Sequence, residues 1–184
     1  NASGTDIDDI SVFKTLSNLK KIDLSNCQMM TDLSELQGLT NIADLNLSKT
    51  KVDTLAPLQG IPFTHLDLSD TSLNDLSPLT TSSLEWLRLD NCRRINNISS
   101  LTNAPLDFFS AINVPIRSIA AFAFEDANLR DKLVLSRTFV RDLSPLRGKQ
   151  ITYLDLYKCR MTDISPLENM PLKYLDLREV PVSD

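Results

Sequence analysis

Apolar residues return along this chain in one fixed rhythm, closed each time by a small residue. The phrase reads Leu19-x-x-Ile22-x-Leu24-x-x-Cys27, then Phe63-x-x-Leu66-x-Leu68-x-x-Thr71, Leu84-x-x-Leu87-x-Leu89-x-x-Cys92 and Ile151-x-x-Leu154-x-Leu156-x-x-Cys159. Within each copy the core alternates apolar, polar, apolar, as in Leu66-Asp67-Leu68. That alternation predicts a short strand with its leucines inward and the residues between them outward. A second apolar beat follows at Val52, Leu73, Ile116, Val140 or Met161, and again at Leu55, Leu76, Ile119, Leu143 or Ile164. Three copies then read Ser-Pro-Leu, at Ser77-Pro78, Ser144-Pro145 and Ser165-Pro166. Ser as an N-cap with Pro at the first helical position predicts a tight turn or a 3₁₀ start.

The second apolar residue of the phrase serves as a register mark. The marks are Ile22, Leu45, Leu66, Leu87, Phe109, Leu133, Leu154 and Leu175, at intervals of 23, 21, 21, 22, 24, 21 and 21 residues. No single copy is large enough to bury its own apolar side. Each must bury it against the next, so the molecule is a stack of parallel strands on one face and turns on the other. Residues 106–132 break the pattern. The Ser-Pro-Leu beat is missing there, and Ala120, Ala121 and Ala123 with Phe122 and Phe124 predict a longer, partly buried convex helix. The ends are also irregular. Residues 1–18 hold only the latter half of a repeat, and 172–184 begin one that stops before its final beat, as expected of an excerpt from a longer protein.

With this period and spelling the chain resembles leucine-rich repeat proteins of the short class that includes the internalins, over nearly its whole length. The resemblance implies an α/β leucine-rich repeat solenoid: a single domain over 1–184 of about eight repeats, stacked as a curved right-handed coil. It also implies a parallel concave β-sheet, with short turns or 3₁₀ helices on the convex side. The function it implies is non-catalytic protein–protein interaction, in which the outward strand residues merge into one concave surface. The same spelling resembles repeats appended to bacterial serine/threonine kinases and surface proteins. A sensor or docking arm of a signalling enzyme, and an internalin-type adhesin, are therefore the alternatives.

Three outward columns follow from the register. The column before each mark reads Lys21, Asp44, His65, Trp86, Phe108, Lys132, Tyr153, Tyr174. The column after it is acidic at Asp23, Asp67, Asp155 and Asp176, with Arg88 among them, and a further column carries Tyr157 and Arg178. A row of rings on an outward face is not explained by core packing, and such rings are common anchors of protein interfaces, the alternative being that neighbouring rings simply stack on each other along the sheet. The candidate partner-binding residues are therefore His65, Asp67, Trp86, Arg88, Phe108, Tyr153, Asp155, Tyr157, Tyr174 and Asp176. Neighbouring carboxylates such as Asp155 and Asp176 could meet a basic patch or a cation, although L-D-L is also a habitual spelling of these repeats.

Composition narrows the rest. The chain has 184 residues, 42% of them hydrophobic, and a net charge of −5, which argues against a phosphate-binding surface and hence against nucleic acid. No apolar run is long enough to span a bilayer. The lone His65 has no partner acid and nucleophile, and no Gly-rich phosphate loop or close Cys/His spacing occurs, so no catalytic residue, metal site or cofactor is expected. Cys27, Cys92 and Cys159 share the ladder position that Thr50, Thr71 and Thr138 fill elsewhere. Lying in non-adjacent copies, they are expected to be buried and unpaired. The expected state is a monomer whose partner is another protein; the sequence leaves the compartment open.

Overall fold

The structure, a computed structural model, describes residues 1–80, 83–123 and 129–182. Among them eight strands form one parallel sheet in strict sequence order: β1 (Lys21–Asp23), β2 (Asp44–Asn46), β3 (His65–Asp67), β4 (Trp86–Arg88), β5 (Phe108–Ser110), β6 (Lys132–Val134), β7 (Tyr153–Asp155) and β8 (Tyr174–Asp176). The pairing register is the one the period predicts, with Ile22, Leu45, Leu66, Leu87, Phe109, Leu133, Leu154 and Leu175 opposite one another. A 3₁₀ turn lies between each strand and the next, and another at Ser11–Thr15 precedes β1. Apart from Leu175, which is exposed, the inward leucines, the cysteines and the second apolar beat form or pack against one continuous core, and Thr50, Thr71 and Thr138 are buried on the same rung as the cysteines. Each fully buried Leu or Ile there contributes roughly 1.5–3 kcal/mol relative to an exposed one.

Two hydrogen-bond ladders fix the turns. The first follows the strands. In every repeat the residue four places after the mark adopts a left-handed conformation: Asn26, Lys49, Asp70, Asn91, Asn113, Arg137, Lys158 and Glu179, with φ from 57 to 62°. Gly4 occupies the same rung ahead of β1. A side chain costs about 1–2 kcal/mol in this region. The return is a backbone bond to the next rung, such as Asn26 N–H to Ser48 C=O at 2.7 Å and Arg137 N–H to Tyr157 C=O at 2.7 Å. The one-residue reversal turns the chain off the sheet and seats the Cys or Thr inward. There Thr71 Oγ1 donates to Leu68 C=O at 2.7 Å, and Cys92 Sγ donates to the same carbonyl from the next repeat at 3.0 Å. All three cysteines are buried, and none is in a disulfide. Burial pushes the Cys92 and Cys159 thiols up.

The second ladder starts the 3₁₀ turns and corrects the capping expected from sequence. Ser77, Ser144 and Ser165 lie inside their turns, and the preceding residue makes no side-chain cap. The cap is the side chain two residues before the serine. Asp75 Oδ1 accepts from Ser77 N–H, Asp142 Oδ1 from Ser144 N–H and Asp163 Oδ1 from Ser165 N–H, each at 2.8 Å. Asp9, Asp32 and Asn97 do the same for Ser11, Ser34 and Ser99, and hydroxyls of Thr54 and Ser118 serve Ala56 and Ala120. A short polar side chain satisfies an orphan N–H best from this distance along the chain.

The described part of the irregular repeat fits the same frame. In place of the expected longer helix, Ala120–Phe122 is a three-residue 3₁₀ turn in line with its neighbours. Ala121 and Phe122 are buried while Ala120 and Ala123 are exposed; Phe124 lies outside the described residues. The Phe122 ring meets the Phe109 ring edge-on at 5.3 Å. Phe109 replaces the leucine of other repeats, and Phe122 fills the space beside it.

Candidate functional site

The sheet places the first outward column in a single file across the concave face, because its members pair directly from Lys21↔Asp44 through Tyr153↔Tyr174. Strand spacing of about 4.8 Å suits face-to-face rings. Trp86 and Phe108 stack with centroids 4.7 Å apart and planes 8° from parallel. His65 extends that stack at 6.3 Å, its Nδ1 lying 3.0 Å from Thr64 Oγ1. Tyr153 and Tyr174 stack at 4.2 Å and 7°. Lys132 stands between the two groups, its Nζ 4.2 Å from the Tyr153 centroid and 5.8 Å from that of Phe108. The rings are therefore only half exposed at Trp86, Phe108 and Tyr153, and more open at His65 and Tyr174. The row of outward rings is a stacked ribbon that shows its edges to solvent. At its other end Lys21 and Asp44 close the column with an ion pair at 2.6 Å.

The acidic column has a backbone role. Asp23, Asn46, Asp67, Asp155 and Asp176 each accept, through Oδ1, the backbone N–H two residues on, at 2.9–3.0 Å. This Asx turn prepares the chain for the left-handed residue that follows. Asp176 is the most committed. It is 5% exposed, and Arg178 adds side-chain bonds of 2.7–3.1 Å to it. Those bonds hold its carboxyl down to about 2.

The ladder of Asx turns breaks at Arg88, Ser110 and Val134. Asp90, two residues after Arg88, takes over part of the work. Its Oδ1 accepts from Ser110 Oγ at 2.6 Å and from Ile112 N–H at 2.9 Å. Arg88 is thus free to lie across the ribbon, 5.0 Å from the Trp86 ring and 5.7 Å from that of Phe108. Asp90 Oδ2 is 3.6 Å from its Nε and Asp67 Oδ2 is 3.7 Å from its Nη1, both beyond good hydrogen-bond length. Nε is buried and makes no hydrogen bond. The rest of the guanidinium, half exposed on its aromatic platform, is suited to a carboxylate or carbonyl brought by another molecule.

The ten candidate residues thus form two groups: His65, Asp67, Trp86, Arg88 and Phe108 around the open guanidinium, and Tyr153, Asp155, Tyr157, Tyr174 and Asp176 toward β8. In the second group Tyr157 donates to Glu179 Oε1 at 2.9 Å, with Arg178 5.3 Å and Lys158 5.1 Å from its ring. Burial and the adjacent Tyr174 push the Tyr153 phenol up. Sequence reasoning missed Lys132 as the link between the groups and Asp90 as the prop beneath Arg88. Lys132 stands in the same column as the rings, which was the available signal; nothing in the spelling marks Asp90. Among the described residues no three His, Cys, Asp or Glu side chains gather in a metal-binding cluster, and no helix is long and apolar enough to cross a membrane.

Comparison with known proteins agrees with this frame. A family model described as Leucine Rich Repeat matches residues 18–39. Internalin C2 from Listeria monocytogenes has a similar structure, with TM-score 0.81 and 27% identity over 99% of this chain and 77% of that one. The internalin InlF of the same organism gives 0.73 and 21% identity over 97% of this chain and 60% of that one. The functional domain of InlJ, also from L. monocytogenes and including a cysteine ladder, gives 0.67 and 20% over 99% and 44%. The last two likenesses concern the fold alone. The sequence matches no curated protein. Repeat period, sheet register, family model and structural neighbours agree: this chain is a leucine-rich repeat protein with an internalin-like solenoid.

Proposed function

We propose that the chain is a non-catalytic protein-recognition module that holds its partner in the concave face, centred on Trp86, Arg88 and Phe108. The observation that carries this reading is Arg88, whose half-exposed guanidinium lies over two stacked rings and, among the described residues, makes no hydrogen bond, its carboxylate neighbours Asp90 and Asp67 standing off at 3.6 and 3.7 Å. A partner carboxylate or carbonyl that bonds its exposed nitrogens is desolvated against the rings, the setting in which one side chain carries much of an interface's affinity. Tyr153, Tyr157 and Tyr174 extend the footprint toward β8. Asp67, Asp155 and Asp176, already bonded to backbone, fix the shape of the face and contribute negative potential at its rim. The internalin-like fold supports the general reading of an interaction module.

The test is affinity for a captured partner protein, measured with Trp86→Ala, Arg88→Ala and Tyr153→Ala and with Thr80→Ala as a convex-face control. Losses of about 2 kcal/mol at Trp86, smaller losses at Tyr153 and none at Thr80 are expected. Unchanged affinity in folded Trp86→Ala and Arg88→Ala variants would move the site elsewhere, first to the 106–132 repeat.

A further inference from the structure

Charge on this acidic chain is not evenly spread. Along the flank that carries the chain from the strands to the convex turns, residues 113–117, 137–141 and 158–160 hold Arg117, Arg137, Arg141, Lys158 and Arg160 and no Asp or Glu. All five cations are exposed. At the centre is the half-buried Phe139, with the Arg160 guanidinium 4.6 Å and the Arg117 guanidinium 5.4 Å from its ring centroid. Backbone bonds hold the three rungs together, Phe139 N–H to Ile116 C=O at 2.9 Å and Arg160 N–H to Val140 C=O at 3.3 Å. Among the described residues, Arg117, Arg137, Arg141 and Arg160 are in no ion pair. Among the described residues, the carboxylates that border these segments are otherwise engaged. Asp142 and Asp163 cap their turns, and Glu179 bonds Lys158 and Tyr157.

We infer that this flank, centred on Arg117, Phe139 and Arg160 and bordering the concave face at Tyr157, is a second interaction surface that receives a short acidic segment of a protein with an apolar side chain among its carboxylates. Arg137 shares the field of Glu179, but the guanidinium groups of Arg117, Arg141 and Arg160 on adjoining rungs have no ion-pair partner among the described residues, and an anion laid across them relieves their mutual repulsion. Four of the five cations are Arg, whose planar fork meets a carboxylate in two parallel bonds. Phe139 gives the centre of the patch an apolar floor that a sugar polyanion has little to place against. Asp142, Asp163 and Glu179 at the margins disfavour a chain of anions that runs past the patch, as a long nucleic acid or sulfated glycan would. These features together select a peptide with a few carboxylates and an apolar residue between them. This inference does not depend on the concave-face reading.

The probe is a fluorescein-labelled peptide of alternating Glu and Phe, titrated with the intact chain by fluorescence anisotropy. Its companion replaces every Glu with Gln, and heparin and a single-stranded oligonucleotide serve as competitors. The Glu peptide is expected to bind and the Gln peptide not. Binding should weaken about tenfold in the double variant Arg117→Gln/Arg160→Gln, and also when ionic strength rises from about 0.05 to about 0.3 M. Phe139→Ala should weaken it less, and Trp86→Ala, which breaks the concave site, should leave it unchanged. Circular dichroism melts show that each variant is folded. The inference fails if the Glu peptide does not bind, if the double variant binds it equally well, or if Trp86→Ala abolishes binding. It also fails if heparin or the oligonucleotide displaces the peptide at lower charge concentration than the peptide itself.

Discussion

The repeats fall into two kinds according to the residue just after the register leucine. In those of β1, β2, β3, β7 and β8 it is Asp or Asn, turned back to accept a backbone N–H at 2.9–3.0 Å. In those of β4, β5 and β6 it is Arg88, Ser110 and Val134, and Asp90 reaches across to support the next turn instead. The unmet guanidinium and the Trp86–Phe108 stack lie in this second region. A position held by the backbone cannot vary without loosening a turn. A position released from that duty can present chemistry to another molecule, and here the release and the chemistry coincide.

The sharpest way to break the contrast is to remove the carboxylate that supports two groups at once. Asp90→Ala strands the Ile112 N–H and the Ser110 hydroxyl, and should cost about 2 kcal/mol in urea unfolding. Asp155→Ala removes an ordinary turn cap, whose Oδ1 accepts the Tyr157 N–H alone, and should cost about 1 kcal/mol. If the two losses are equal, the takeover by Asp90 has no special weight. Replacing a left-handed residue that has a long side chain, Lys49→Gly, should raise stability by about 0.5–1 kcal/mol, because the fold already demands φ of 60° there. The same change at Asn91, a residue that tolerates this conformation, should gain less. Arg88→Asn converts the second kind of repeat into the first, by analogy with Asn46. Stability is expected to move by less than about 0.5 kcal/mol, while partner binding is lost; retained binding would separate the Arg from the site.

The smallest effect is in acid. The Ser77 hydroxyl and N–H hold the Asp75 carboxyl below its ordinary value, as the Ser144 and Ser165 groups do for Asp142 and Asp163. A carboxyl whose value is lower folded than unfolded stabilises the fold above the unfolded value near 4. That contribution fades as pH falls through the folded value. Asp75→Asn should therefore flatten the decline of stability below pH 4 relative to the unaltered chain, read from thermal melts across the acid range. An equally steep decline would mean that this cap adds nothing titratable.

All eight register marks were legible in the sequence, because a leucine that must face a core every 21 to 24 residues leaves a trace no other constraint imitates. The turn chemistry was not. Asp67 and Asp155 read as spare acidity because the N–H each accepts comes from its own backbone, and spelling shows residue types but not that geometry. The capping serines were misplaced by two residues for the same reason. The left-handed rung was hidden by its occupants, since Lys49, Arg137, Lys158 and Glu179 are not residues that announce such a turn. The ring column was legible and stacking along it was one of its two readings, but how far stacking reduces exposure was not, because that depends on how closely neighbours approach. The basic flank escaped notice because its members sit at different offsets in separate repeats and the net charge is negative.

The strictly sequential sheet, in which every strand touches only the strands before and after it, makes this molecule editable by length. Excising residues 66–86 would join His65 to Leu87 in unbroken phase, leaving every remaining leucine inward and every column aligned. The cut would draw His65 alongside Phe108 and take Trp86 with it. Evolution can therefore shorten, extend or shuffle the recognition ribbon one tile at a time, composing a new face without solving the folding problem again.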